Sequence, residues 1–220
     1  MPFDGDYFDL VGLKQADKVG TPGFAGEGLI GTNAYKGTTD AYLTYPTAGL
    51  LGNEFTAAFW YKVDASPDRA GIIIIGDDAD DRFQGLRLFR EGNTTNQTIK
   101  ANVGIGSGES WNDGGVIDVT AGEWVHIALS ISATQSTIFF NGVAVRTAAL
   151  SSPVDWTGCD ELVIGSGGPT FSYWNHKSDS SPMDELRLFN TALTETDIQD
   201  MINVTNPYTG EFDGEMFYLP

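Results

Sequence analysis

The run Gly122-Glu-Trp-Val-His-Ile-Ala-Leu-Ser-Ile131, followed by Ser136-Thr-Ile-Phe-Phe-Asn-Gly-Val-Ala-Val145 and later by Met183-Asp-Glu-Leu-Arg-Leu-Phe-Asn-Thr-Ala-Leu-Thr194, decides the fold. Val125, Ile127, Leu129 and Ile131 alternate with Trp124, His126, Ala128 and Ser130. That period of two is the signature of a strand with one buried face. Asn141-Gly142 stands between two apolar runs. Both residues tolerate positive φ, so the pair predicts a tight hairpin of type I′.

Working outward, Phe55-Thr-Ala-Ala-Phe-Trp-Tyr-Lys-Val63 alternates in the same way, and further strands are expected at 39–46, 71–76, 85–90, 98–105, 115–119, 143–148 and 161–165. Turn residues separate them, which fits two packed antiparallel sheets rather than βαβ units. One short helix is expected at 195–203, with Thr194 and Asp197 forming a capping box and Ile198, Met201 and Ile202 its apolar side. Residues 1–30 read as glycine-rich surface loop, and 206–220 as a turn-rich tail.

The chain has 220 residues, 27 of them glycine, and suits one all-β domain with a core at about 30–204. A core of that size needs no disulfide. Cys159 is the sole cysteine and reads as a small, partly buried residue. The net charge of −18 argues against nucleic acid and anionic membranes, and weighs against polyanionic glycans. Met1-Pro-Phe-Asp-Gly-Asp6 lacks the basic and apolar regions of a signal peptide, so a piece of a longer secreted protein is expected.

The strand carrying Trp124-Val-His-Ile-Ala128, the hairpin through Asn141-Gly142 and the strand Asp184-Glu-Leu-Arg-Leu-Phe-Asn190 resemble, in order, those of laminin-G-like domains in the concanavalin A-like lectin/glucanase superfamily. The likeness covers about 40–200 and implies a two-sheet jelly-roll sandwich. Val19-Gly-Thr-Pro-Gly-Phe-Ala-Gly26, Ala34-Tyr-Lys-Gly37 and Arg69-Ala-Gly-Ile72 are similar to modules of Bacteroidetes surface glycan-binding proteins. That closer likeness implies a polysaccharide or oligosaccharide ligand and an extracellular or outer-membrane-anchored setting. It also implies neighbouring domains or a glycan transporter as partners.

The superfamily also holds hydrolases and lyases. Retaining hydrolysis needs two carboxylates about 5–5.5 Å apart, and the Glu-x-Asp-x-x-Glu string that the hydrolase resemblance would require is missing. His126 and His176 lack the neighbours of lyase-like members, and His126 matches a structural histidine of the family. A non-catalytic domain is therefore expected.

For binding, alternation sends Trp60, Lys62, Arg87, Phe89, Lys100 and Asn102 outward. If their strands share a sheet, these residues form one aromatic and polar sugar-binding face. The alternative is that a loop covers Trp60 and Phe89 and makes a second small core. Two loops carry further candidates: Trp111 in Gly108-Glu-Ser-Trp-Asn-Asp-Gly-Gly115, and Tyr173, Trp174 and His176 in Ser166–Lys177. The alternative for the second loop is that Phe171 and Trp174 anchor it to the sheet. The run Asp77-Asp-Ala-Asp-Asp81 lacks the features of a calcium loop. The family resemblance instead implies a structural calcium at Asp184, with Asp9 as a second carboxylate.

Overall fold

Alternating apolar residues make the long strands, and their two faces explain the layers. The computed structural model describes residues 1–76, 82–171 and 175–205, with side chains through 203. Five short strands come first: β1 (Phe8–Asp9), β2 (Lys14–Gln15), β3 (Asp17–Val19), β4 (Gly23–Phe24) and β5 (Tyr35–Lys36). The longer ones follow: β6 (Tyr42–Pro46), β7 (Phe55–Tyr61), β8 (Arg69–Ile75), β9 (Leu86–Gly92), β10 (Asn96–Gly104) and β11 (Glu109–Asp118). Then come β12 (Val125–Ile131), β13 (Gln135–Phe140), β14 (Val143–Ala149), β15 (Glu161–Ile164), β16 (Met183–Phe189) and helix α1 (Glu195–Thr205).

Apart from the β1–β2 hairpin, the described strands form two seven-stranded sheets. The first sheet runs β11-β10-β9-β8-β15-β6-β3 and the second β14-β13-β12-β7-β16-β5-β4, with every ladder antiparallel. This is the expected jelly-roll sandwich. Phe55, Ala57, Phe59 and Tyr61 of β7 and Ile127, Leu129 and Ile131 of β12 supply one inner face. Leu86 and Leu88 of β9 and Ile99, Ala101 and Val103 of β10 supply the other. All twelve are wholly buried. At about 1.5–3 kcal/mol for each large apolar side chain removed from water, this layer is the main source of cohesion.

Both outer faces are partly covered. On the second sheet, Ala58, Ala128 and Phe139 pack against Ile198 of α1. Thr194 starts that helix: its backbone N–H donates to Asp197 Oδ2 at 2.8 Å, and Asp197 N–H donates to Thr194 Oγ1 at 3.3 Å. The expected capping box is present. On the first sheet, Ile74, Phe89, Val163 and Phe171 form a separate apolar cluster.

Two sequence expectations change. Residues 109–114 are strand, not loop: the turn lies earlier, where Ile105 N–H donates to Gly108 O at 2.9 Å. Gly114 then absorbs the β10–β11 register shift at φ +43°, where an added Cβ would lie 1.8 Å from Ile99 O. The N-terminal segment is also more ordered than its composition suggests. Its short strands β3, β4 and β5 extend both sheets.

One buried polar network ties the sheets together. Arg90 of β9 donates from Nε to Tyr61 Oη of β7 at 3.0 Å and from Nη2 to Asp179 Oδ1 at 2.9 Å. Its Nη1 donates to Pro67 O at 2.8 Å and to Gln97 Oε1 at 2.9 Å. Tyr61 in turn donates its hydroxyl to Asp179 Oδ2. Burial and the Asp179 carboxylate hold the Tyr61 phenol well above its ordinary pKa, so it stays a donor.

Candidate functional site

The first sheet presents a row of chemistry on its outer face. Asn102 of β10 lies opposite Arg87 of β9 and Trp111 of β11, while Lys100 lies opposite Phe89. Period two adds Glu91 on β9 and Glu109 and Asp113 on β11 to the same face. Sequence reading missed these three acids. Glu109 and Asp113 fall in the Trp111 segment, read as a loop, where alternation carries no information, and Glu91 lies one residue past the strand expected at 85–90.

The row divides into a fully buried part and a half-buried part. Arg87, Phe89, Asn102 and His176 are at most 2% exposed. Phe171 and His176 contribute to this cover: they stack at 4.6 Å between ring centroids, and the two rings meet Phe89 at 5.3 and 4.7 Å. Arg87 Cζ lies 6.0 Å from the Phe171 ring centroid, within cation–π range. Close approach depends on Gly71 of β8, where any Cβ would stand 2.4 Å from Gly167 N. Burial pushes the His176 imidazole down to about 4, which keeps it neutral.

The half-buried part centres on Trp111, edge-on to Phe89 at 6.1 Å. On one side Glu109 Oε2 accepts from Asn102 Nδ2 at 2.8 Å and meets Arg82 Nε at 3.3 Å. On the other, Lys100 Nζ bonds Glu91 Oε1 at 2.8 Å and approaches Asp113 Oδ1 at 3.7 Å. The Glu91 carboxylate raises the Lys100 pKa, so the ammonium stays charged. An apolar ring held between fixed donors and acceptors is the arrangement that reads a polar ring with one apolar face.

The expected single face of Trp60, Arg87 and Asn102 is not formed. Trp60 belongs to β7 of the second sheet, because the chain crosses between sheets after Tyr61. There it lies opposite His126 and meets that ring at 5.2 Å. Burial lowers His126 to about 4, with the Arg187 charge adding to the effect. Arg87, Asn102 and His176 do share the first sheet's outer side, but as buried groups rather than open contacts. Tyr173, Trp174 and the acidic run 77–81 lie outside the described residues.

The two carboxylates linked to calcium are occupied by donors. Asp184 Oδ2 accepts from Leu29 N and Ile30 N at 2.8 and 3.0 Å, and Oδ1 accepts from Glu185 N at 2.9 Å. Asp9 accepts from Val11 N and Gly12 N, both at 3.0 Å, and from Tyr45 Oη at 2.9 Å. Calcium asks for about six to eight oxygens. Among the described residues no group of three or more His, Cys, Asp or Glu is placed to hold a metal ion. Asp184 thus clamps the N-terminal segment to β16 through amides.

A sandwich of two such sheets with one short helix defines the class, and the comparisons agree with it. Residues 36–199 match Laminin_G_3, described as concanavalin A-like lectin/glucanases superfamily, and the chain belongs to that family. Its fold is similar to domain 4 of AbnA, a GH43 extracellular arabinanase from Geobacillus stearothermophilus in complex with arabinotriose. That likeness has 20% identity, covers 89% of this chain and 92% of the other, and has a TM-score of 0.66. The botulinum neurotoxin serotype D binding domain is similar at 13% identity and TM-score 0.61, covering 86% of this chain and 46% of the other. A serotype D ligand-binding domain in complex with N-acetylneuraminic acid gives 14% identity and TM-score 0.58, with the same coverage. No curated protein matches in sequence.

Proposed function

We propose that the chain is a non-catalytic carbohydrate-binding domain that holds a neutral glycan against Trp111. The observation that carries this reading is the half-buried indole flanked by the Arg82–Glu109–Asn102 and Lys100–Glu91 groups. A sugar ring stacks its apolar face on the indole, and its hydroxyls exchange hydrogen bonds with the flanking groups. Those groups are already paired, so they are oriented before the ligand arrives, which lowers the ordering cost of binding. The net charge of −18 favours an uncharged glycan over a polyanion. Structural neighbours seen with arabinotriose and N-acetylneuraminic acid support carbohydrate as the ligand class.

Affinity electrophoresis of wild type and Trp111→Ala through neutral and acidic polysaccharides tests the reading. Retardation by a neutral glycan, weakened about tenfold or more in the variant, is expected for loss of a central aromatic anchor. Retardation equal in both proteins would remove Trp111 from the site. No retardation by any glycan would turn the reading to a structural or adhesion module.

The setting in this proposal is a secreted or surface-anchored polysaccharide-utilisation protein, with neighbouring domains or a glycan transporter as partners. Calcium at Asp184 is a separate proposal. It is supported by complete burial of that carboxyl, which raises its pKa to about 6, a cost that a cation would offset. The three amides around it weigh the other way. Melting in calcium against melting in chelator decides: an unchanged midpoint assigns the carboxyl to the amide clamp alone.

A further inference from the structure

A row of three residues crosses the second sheet just past its core. Tyr61 of β7 and Tyr35 of β5 both lie opposite Met183 of β16, and all three side chains join the core. One step on, the Lys62 N–H donates to Pro182 O at 3.0 Å, so β7 and β16 stay in register there. Antiparallel order puts Lys36 on the other side of Pro182. Alternation then turns Lys62, Pro182 and Lys36 to the outer face. The two lysines stand two strand spacings apart, about 10 Å, with no charged side chain between them in the row. They line a pocket of about 540 Å³ whose apolar wall includes Val63, Val119 and Pro182.

The charges of this pocket are poorly matched. Lys62 Nζ lies 3.8 Å from Glu27 Oε2, beyond hydrogen-bond distance, and the Glu27 side chain is 84% exposed. Among the described residues no carboxylate pairs with Lys36. Asp64, the other acid of the rim, already accepts from Ser66 N–H at 3.0 Å and Ser180 Oγ at 3.1 Å. Arg82, Arg90, Lys100 and Arg187, in contrast, each reach a carboxylate within 3.3 Å. In a chain with 12 Lys and Arg against 30 Asp and Glu, two lysines short of acid partners in one concavity mark a place for an anion from outside.

We propose that this pocket binds one carboxylated sugar unit, a hexuronate at a chain end or a free sugar acid. Each carboxylate oxygen accepts from one ammonium, since both lysines are point charges with three donors. Val63, Val119 and Pro182 take the apolar face of the ring. The volume falls in the range of about 300–1,000 Å³ usual for small-molecule sites. Glu27 is the pocket's own stand-in for the ligand, and displacing it from Lys62 costs little, because exposed ion pairs contribute little. The net charge of −18 repels a long polyanion, so one carboxylate is taken rather than a run of them. The pocket and Trp111 lie on different sheets. Only the sugar part of the proposal rests on the carbohydrate reading; the carboxylate part rests on the lysines.

The test titrates isotope-labelled protein with sodium glucuronate, glucose, acetate and a capped Ala-Glu-Ala peptide at one ionic strength, following backbone amides by NMR. Glucuronate should shift the Lys36, Lys62, Val63 and Val119 amides, glucose should leave them in place, and acetate should bind about tenfold more weakly for want of ring contacts. Lys62→Met should weaken glucuronate about tenfold, the loss of one charge-assisted bond. Glu27→Gln, at an exposed position, should tighten it about threefold by removing the competing carboxylate. Equal shifts by glucose would overturn the proposal, because charge is then not read. Acetate bound as tightly as glucuronate would reduce the pocket to an adventitious ion only, and tighter binding of the peptide would assign it to an acidic protein partner; either result rejects the sugar acid. Unshifted amides in both wild type and Glu27→Gln would reject the site altogether. Glucuronate bound here without retardation by any neutral glycan would sustain this proposal and sink only the Trp111 reading, and the converse result would do the reverse.

Discussion

Replacing Asp179 by alanine removes the one carboxylate among the described residues that pairs with the buried Arg90 guanidinium, whose other partners there are Tyr61, Pro67 and Gln97. The two side chains are 0% and 2% exposed, so water does not take over the contact. Breaking a buried pair from one side costs about 3–5 kcal/mol, because the remaining charge stays desolvated. Against a domain stability of about 5–15 kcal/mol, that is about a fifth or more of the total. At about 2–4 °C per kcal/mol for a chain of this size, the melting midpoint should fall by roughly 6–20 °C. Urea unfolding followed by tryptophan fluorescence measures the loss directly, with an unchanged m-value showing that two-state behaviour persists. Arg90→Met with Asp179→Leu should be less destabilised than Asp179→Ala, since no charge is left behind. A loss below about 1 kcal/mol in Asp179→Ala would refute the reasoning, because that is the range of exposed pairs. The pair also reaches toward the site. Asp179 N–H donates to Gly165 O at 2.7 Å, at the start of the segment that covers Phe89, so Asp179→Ala should also speed amide exchange at Gly167.

The histidines and Asp184 give opposite pH signatures. His126 and His176 are both lowered to about 4 from 6.5, so the unfolded chain binds more protons between those values. Stability is lost as pH falls from 6.5 to 4, by up to about 3 kcal/mol per histidine. His126→Gln should flatten that slope in unfolding measured at pH 7 and pH 4, and an unchanged slope would reject the assignment. Asp184 is raised from 3.8 to about 6, so the folded state binds the extra proton and stability from this group falls as pH rises through that window. Asp184→Asn should remove this fall, of about 3 kcal/mol, when unfolding is compared at pH 4 and pH 7 in chelator. If calcium occupies the site, adding it should restore stability at pH 7 in wild type only. Thr194→Ala should cost about 1 kcal/mol by removing the α1 cap, measured by thermal unfolding.

The fold was legible because its strands carry unbroken alternation. Phe55, Ala57, Phe59 and Tyr61 all reach the core that their spacing implies, and Asn141 takes φ +48° and Gly142 φ +79° in the turn between β13 and β14, as their chemistry implies. Where alternation failed, a glycine was responsible. Gly114 and Gly115 hid the ten-residue strand through Trp111, since neither offers a side chain to alternate and Gly114 carries a register shift. The rest of the site was illegible for a different reason. Alternation tells which way a residue points from its own sheet, but not which sheet it belongs to or what lies over it. Trp60 and Arg87 both point outward, yet from opposite layers, and Arg87 and Asn102 point outward into cover. The Arg90–Asp179 pair was invisible for a related cause. Arg90 follows the inward parity of Leu86 and Leu88, a position where a charge is expected only with a partner. That partner comes from 89 residues farther along the chain. A charged residue at inward parity in an otherwise apolar strand is thus a signal in itself. It predicts a distant counter-charge, and here that counter-charge lies in the segment whose Phe171 and His176 cover Phe89, leaving Trp111 at the border of the covered face.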